Sequence, residues 1–344
     1  MAFIKELNLS NIKFIMYKLI YILLLSSLLQ FSCETKSQRE YPDVSNISID
    51  ISIERLDKEI RSIKSIQEMD TFLFENPVFA EFFLGSSGYP DRRMVVKNFY
   101  DLMEDPGIDS LWMEVDDVYS NLSAIELQFE EAFKHLKYYY PNTKTPKIQT
   151  VVSGILNDLY LSDSLIIIGL DYYLGNDGTF IPDIPSYIVK RYQKEYMVPQ
   201  CMMLVSASYN ANNVEDQTAL ADMIFYGKAY YFAEQMLPGT SDTLITGYTT
   251  EETKNIHEFE NVIWAGLLEN EALYETSHVI KEKFMGERPK VYEIGQNCPG
   301  RIGRWIGYRI VSEYMDKHPD ISLQKLMADP DAKKIFMESN YRPK

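Results

Sequence analysis

The segment with the most suggestive chemistry reads His257-Glu258-Phe259-Glu260-Asn261. Zinc-dependent proteases carry the pattern His-Glu-x-x-His on a helix, where two histidines one turn apart bind zinc and the glutamate acts as the base. Here Asn261 stands in place of the second histidine, and asparagine is a poor zinc ligand. The sequence therefore predicts neither a metal site nor a catalytic residue, and we interpret His257 as a solvated helix residue.

A second candidate segment spans residues 299–308 and reads Pro-Gly-Arg-Ile-Gly-Arg-Trp-Ile-Gly-Tyr. We predict a helix whose first residue is Pro299, since proline is favoured at that position. Gly300, Gly303 and Gly307 then lie on one face of the helix, at steps of three and four residues. Because glycine has no side chain, such a face lets another backbone approach closely, so the glycines favour helix packing.

The same segment could also bind an anion. The free N–H groups at a helix N-terminus attract negative charge, and Arg301 and Arg304 would add two positive charges beside them. The sequence does not decide between helix packing and anion binding for this segment. Arg301 and Arg304 are the candidate residues for binding a partner or an anion. The sequence has no Gly-x-Ser-x-Gly elbow and no Walker-type phosphate loop, and we predict no cofactor.

The N-terminus has the three parts of an export signal. Lys13 and Lys18 supply positive charge, residues 19–29 form a short apolar run, and the small Ser32 precedes Cys33. The apolar run is shorter than the roughly 20 residues that a permanent membrane span needs. We therefore predict that residues 1–32 are a cleaved signal peptide.

Cys33 stands where bacterial lipoproteins carry the cysteine that receives a lipid and becomes the mature N-terminus. The match departs from the usual pattern, because Gln30 and Phe31 occupy positions where leucine and a small residue are common. We predict a lipid on Cys33, an anchor and tether over residues 33–45, and a location in the cell envelope at a membrane.

Composition excludes one class of partner. The net charge is -16 for the whole chain and about -18 once residues 1–32 are removed. A field of that sign repels phosphate backbones, so we predict no nucleic-acid binding. Cys201 and Cys298 are the cysteines that follow the anchor, and two cysteines without a framework pattern leave their pairing open.

Hydrophobic periodicity predicts the elements that position these residues. Isoleucines alternate with polar residues over 47–54, which predicts a strand, whereas apolar residues at steps of three and four predict a helix over 122–136. Two short apolar runs, residues 147–152 and 164–170, predict buried strands. The later pattern is helical over 185–194, 198–209, 216–236, 250–268, 270–285, 299–316 and 330–337.

These elements predict an α+β fold, in which a small sheet from the first half is packed by a predominantly helical second half. Because neither an internal repeat nor a low-complexity linker interrupts the pattern, we predict one globular domain over residues 46–344.

Several segments, taken with the lipoprotein start, resemble the GldB family of gliding-motility lipoproteins of Bacteroidetes. The segments are residues 168–175, 185–188, 223–232, 299–311 and the terminal Tyr-Arg-Pro-Lys at 341–344. The resemblance implies a membrane-anchored envelope protein required for gliding. Its implied partners are proteins of the motility apparatus, which is tied to type IX secretion.

The layout is also similar, more remotely, to a family of predicted zinc metallopeptidases. In that family a His-Glu-x-x-His helix precedes a helix resembling residues 221–232, whereas the preceding segment here, residues 201–209, holds no histidine and no acid. This likeness implies a zincin-like scaffold that lacks the metal ligands and keeps a groove for a peptide or partner.

Three functional hypotheses follow. The leading one is a non-catalytic interaction or scaffold component of the gliding machinery. The alternatives are an envelope hydrolase or metallopeptidase-like enzyme with an unrecognised site around His257 and Glu258, and a solute-binding lipoprotein.

Overall fold

The computed structural model describes residues 41–176 and 178–343. The predicted signal peptide, Cys33 and most of the predicted tether lie outside the described residues, and the boundaries at 32 and 45 stay predictions. From Pro42 onward the described residues form one compact unit. Within these ranges every helix is too short or too polar to cross a bilayer.

A four-stranded mixed sheet forms in the first half of the chain. The strands are β1 (Ile53–Arg55), β2 (Lys147–Val151), β3 (Leu159–Leu161) and β4 (Leu165–Gly169). Their order is β1-β2-β4-β3, in which β2 is parallel to both β1 and β4, and β3 is antiparallel to β4. The isoleucines of β2 and β4 are fully buried, as their apolar runs predict.

The strand predicted over residues 47–54 is mostly wrong, because only Ile53–Arg55 pairs with β2. The isoleucines from 47 to 53 are nevertheless half-buried and the polar residues between them are exposed. The register explains the difference. Ile53 lies opposite Ile148, and β2 begins at Lys147, so the earlier isoleucines extend past the end of their neighbouring strand. Alternation therefore predicted which side chains face the core but not the length of pairing.

A buried carboxylate fixes the chain at the carboxyl end of β4. Asp171 is fully buried, and its Oδ2 accepts hydrogen bonds from the backbone N–H groups of Ser153 (3.0 Å) and Ile155 (2.7 Å). Burial raises the pKa of Asp171 to about 6, although these N–H groups oppose the shift. The loop after β2, where Ile155 adopts a positive φ of 61°, is thereby held against the segment that follows β4.

Six helices fill the connection from β1 to β2. They are α1 (Leu56–Ser62), α2 (Ile66–Glu75), α3 (Pro77–Phe82), α4 (Arg92–Met103), α5 (Ile108–Tyr119) and α6 (Ser123–Tyr139). The amphipathic helix predicted over 122–136 is confirmed by α6, in which Phe129 and Leu136 are fully buried. The ring of Phe79 lies 5.9 Å from that of Phe72 and 5.5 Å from that of Phe99, which joins α2, α3 and α4.

The second half is helical, which confirms the predicted α+β class. Its helices are α7 (Ser186–Val189), α8 (Lys194–Val205), α9 (Ala219–Met236), α10 (Asp242–Thr246), α11 (Thr250–Glu258), α12 (Glu260–Glu269), α13 (His278–Met285), α14 (Ile302–Lys317), α15 (Leu323–Ala328) and α16 (Ala332–Ser339). The sequence patterns missed five elements: β3, α1, α5, α10 and α15. The helix predicted over 250–268 is divided at Phe259, and the one predicted over 270–285 begins only at His278.

Helices α9 and α14 make the most extensive helix-helix contact in the described part of the chain. Gly227 on α9 lies against Gly307 on α14, and a Cβ atom added to Gly227 would be 2.8 Å from the backbone nitrogen of Tyr308. A Cβ added to Gly307 would collide with the carbonyl oxygen of Met223. The contact is thus backbone against backbone, which confirms the packing interpretation of the glycine face at Gly307.

We predict that Gly307→Ala destabilises the protein by at least about 2 kcal/mol, because a methyl group at this crossing forces two packed helices apart. The matched control is Gly88→Ala, since a Cβ at Gly88 has no atom within 4 Å and the backbone there is not left-handed. Both changes lower the entropy of the unfolded chain equally. Denaturant unfolding followed by circular dichroism measures the difference, and equal stabilities for the two variants would contradict the close crossing.

Candidate functional site

A pocket of about 300 Å³ lies between α7, α8, α10 and the start of α14. Both arginines singled out from the sequence, Arg301 and Arg304, line it. The other polar side chains of the lining include Arg191, Tyr196, Gln200 and Glu287, and the apolar ones include Ile188, Met203, Leu244 and Ile245. We call this site the arginine pocket.

Arg301 lies in the turn that precedes α14 and adopts a left-handed conformation, with φ 60° and ψ 18°. The helix consequently begins at Ile302, and the predicted start at Pro299 is wrong. The Arg301 side chain folds inward and is almost completely buried. Its Nη1 donates to the carbonyl oxygen of Thr246 (3.0 Å) and to the hydroxyl of Tyr230 (3.2 Å), and its Nη2 donates to the carbonyl oxygen of Gly247 (3.3 Å).

These bonds place the Arg301 guanidinium at the carboxyl end of α10, where unpaired carbonyls favour a positive charge. Burial disfavours its charged form, but Tyr230, Tyr248 and Glu287 outweigh that cost and raise the pKa of Arg301. Arg301 is therefore a fixed and permanently charged residue in the wall of the arginine pocket. It is not an exposed group at a helix N-terminus.

Glu287 joins two of the arginines. Arg191 donates from both terminal nitrogens to the two carboxylate oxygens, at 3.0 and 2.9 Å, and the Nε of Arg301 lies 3.5 Å from one of them. The Glu287 side chain is 34% exposed. Partial burial opposes ionisation, but Arg301 and Arg191 more than compensate and lower the pKa of Glu287 below its ordinary value. Glu287 therefore stays ionised near neutral pH and neutralises one of the arginines.

Of the three arginines, Arg304 makes the fewest hydrogen bonds. Its Nε donates to the carbonyl oxygen of Met285 (2.6 Å), and its guanidinium lies 4.2 Å from the ring centroid of Tyr226. Its two terminal amino groups have no hydrogen-bond partner among the described residues. Arg304 is thus held at its Nε and against a ring face, while its outer nitrogens stay available to a ligand.

The lining of the arginine pocket carries an excess of positive charge and of donors. Three guanidinium groups face one carboxylate, in a chain whose net charge is -16. Tyr196 and Gln200 add a hydroxyl and an amide nitrogen that have no hydrogen-bond acceptor in the described part of the chain. This arrangement is suited to an anion and disfavours a cation.

The His257 segment does not form a metal-binding helix. Phe259 ends α11 with φ -112° and ψ 22°, and Asn261 belongs to the next helix, α12. His257 is exposed, as interpreted from the sequence, but its Nε2 lies 3.8 Å from a carboxylate oxygen of Asp242 and its ring packs edge-on against Trp305. Within residues 41–176 and 178–343, the structure shows no cluster of three or more acidic, histidine or cysteine side chains arranged for a metal.

The two cysteines left open by the sequence are buried and free. Burial raises the pKa of Cys298 to about 12 and that of Cys201 further, so both stay as thiols. Sequence reasoning missed Arg191, Glu287 and Tyr196 as members of the pocket. No spacing along the chain links these residues to the segment at 299–308, and only the fold brings them together.

Comparison with known proteins identifies a family. The family model described as gliding motility protein GldB matches residues 37–343, which includes every described residue. No curated protein and no solved structure matches significantly. The zincin-like likeness therefore stays a prediction.

We predict that Glu287→Gln destabilises the protein by about 1–2 kcal/mol at neutral pH, because it removes a charge-assisted pair and leaves two guanidinium groups facing each other. Glu313→Gln is the control, since Glu313 pairs with Lys317 in an exposed contact within α14 and should change stability by less than about 0.5 kcal/mol.

The pH dependence of the Glu287 contribution follows from its lowered pKa. A carboxyl whose folded-state pKa is depressed stabilises the protein above its unfolded value, here 4.5, and loses that contribution as the pH falls through the folded-state value. The difference in unfolding free energy between wild type and Glu287→Gln should be constant at neutral pH and shrink in acid. Urea titrations over the acidic range measure it, and a difference independent of pH would contradict the ion pairs.

Proposed function

The chain belongs to the gliding motility protein GldB family, and from this membership we propose that it is a non-catalytic interaction component of the gliding machinery. The observation that carries the proposal is the extent of the match, which covers residues 37–343 and hence the whole folded unit rather than one motif. Its proposed partners are gliding-motility or type IX secretion proteins of the cell envelope.

The proposal includes a lipid on Cys33 that holds the protein to a membrane. The family match begins at residue 37, four positions after this cysteine, so the proposed anchor lies close to the folded unit in sequence. A short polar tether between them would keep the domain near the membrane surface. The acidic domain would not itself be attracted to anionic lipid headgroups, so the covalent lipid would supply the attachment.

The geometry of the candidate sites supports binding rather than catalysis. His257 and Asn261 lie on different helices, so this segment lacks the helical arrangement by which zinc proteases hold metal. The arginine pocket holds fixed donors and positive charge, which recognise a partner group. Such a recognition site is suited to a component that binds other proteins.

Crosslinking in native envelopes tests the proposal. We expect the tagged protein to recover gliding or type IX secretion proteins after crosslinking, and Cys33→Ala to recover far less, because the unlipidated chain is not held at the membrane. Protein level and export are matched between the two strains by immunoblotting. If Cys33→Ala cells glide normally and neither form recovers such proteins, the proposed role is wrong.

Substitutions in the histidine segment test the non-catalytic part of the proposal. We expect His257→Ala and Glu258→Ala cells to glide as wild type does at an equal protein level, because neither side chain lies in a metal site. Colony spreading and single-cell speed measure the effect. Lost motility with an unchanged protein level would favour an envelope hydrolase instead.

A further inference from the structure

We propose that the arginine pocket binds the C-terminal carboxylate of a partner polypeptide, with the apolar side chain of its last residue packed beside it. The inference rests on the proposed function, since it names the chemistry by which the interaction component would recognise a partner. Carboxylate recognition uses the donor groups on the lining, and the neighbouring apolar wall would select the residue that carries the carboxylate.

The available donors are arranged for a planar anion. The terminal nitrogens of Arg304 form a fork without acceptors among the described residues, and a guanidinium fork matches the two oxygens of a carboxylate. Arg301 adds a second positive charge three residues earlier, on the same wall. A cation has no comparable site, because Glu287 is paired with two arginines and the carbonyls of Thr246 and Gly247 already accept from Arg301.

The pocket is preorganised before a ligand arrives. Arg301 is fixed by three hydrogen bonds, and Arg304 is fixed by Met285 and by the ring of Tyr226. Fixing these long side chains in the folded protein reduces the entropy that binding would otherwise cost. The arginines therefore hold a binding geometry in the free protein.

Size and lining favour the end of a polypeptide. A volume of about 300 Å³ is at the lower limit of ligand pockets and accommodates one or two residues. Ile188, Met203, Leu244 and Ile245 supply apolar surface for a side chain. The hydroxyl of Tyr196 and the amide nitrogen of Gln200 supply donors for the last peptide carbonyl. An inorganic anion would leave the apolar wall uncovered.

The test uses the full lipidated chain in detergent and three probes: N-acetylleucine, N-acetylleucinamide and inorganic phosphate. Binding is measured by ligand-observed nuclear magnetic resonance. We expect N-acetylleucine to bind, and the amide to bind at least about tenfold more weakly, because it lacks the charge that the arginines recognise. Arg304→Gln should weaken binding of the acid by a similar factor.

Arg309→Gln is the matched control. Arg309 also lies on α14, donates from Nε to one acceptor, Glu260, and lies over an aromatic ring, that of Trp305, but it does not line the arginine pocket. Its loss should leave the affinity for N-acetylleucine unchanged. Equal binding of acid and amide, wild-type affinity in Arg304→Gln, or binding of phosphate alone would each overturn the proposal.

Envelope crosslinking with Arg304→Gln then tests whether the arginine pocket contacts the partner, separately from the proposed interaction function. Loss of partner recovery, with normal lipidation and protein level, would support a carboxylate contact with the partner. Unchanged recovery would overturn the partner assignment while leaving the proposed function in place. If the wild type itself recovers no motility protein, the proposed function fails, whereas acid-selective binding of N-acetylleucine would still support the chemistry of the pocket.

Discussion

The crossing of α9 and α14 at Gly227 and Gly307 is the contact on which the rest of the helical half depends. Because neither residue has a side chain, the two backbones touch, and the positions of both helices follow from that distance. Tyr226 and Tyr230, which flank Gly227 within one turn, then contact the two arginines near the start of α14. The close packing of α9 against α14 therefore contributes to the core and also positions one wall of the arginine pocket.

Charge is distributed unequally between the pocket and the rest of the chain. A protein with a net charge of -16 concentrates three guanidinium groups around one carboxylate. Arg301 stabilises the fold, since it binds the carbonyls at the end of α10, and it shares the Glu287 carboxylate with Arg191. Arg304 is the member whose outer nitrogens are left for a ligand. In the proposed binding site, stability and recognition would thus depend on different atoms of one cluster.

The metallopeptidase likeness predicted from the sequence and the arginine pocket lead to different expectations of function. The His-Glu-x-x-His pattern of zinc proteases places its two histidines one turn apart on one helix, and the break at Phe259 separates His257 from Asn261. The pocket, in contrast, is assembled from five separate segments of the chain, and its arginine side chains are fixed by hydrogen bonds and ion pairs. An interaction role for this gliding-motility family member agrees with that geometry.

Sequence alone determined the features that depend on neighbours along the chain: the α+β class, the amphipathic helix α6, and the placement of Gly303 and Gly307 on one face of α14. Local periodicity and glycine content report these directly. The prediction of a strand over residues 47–54 was mostly wrong, because the length of a strand depends on where its neighbouring strand begins. The predicted helix start at Pro299 was wrong, because Arg301 adopts a left-handed conformation just before the helix. Only the tertiary structure assembled the arginine pocket, since its charges come from distant segments and acquire a common function through packing.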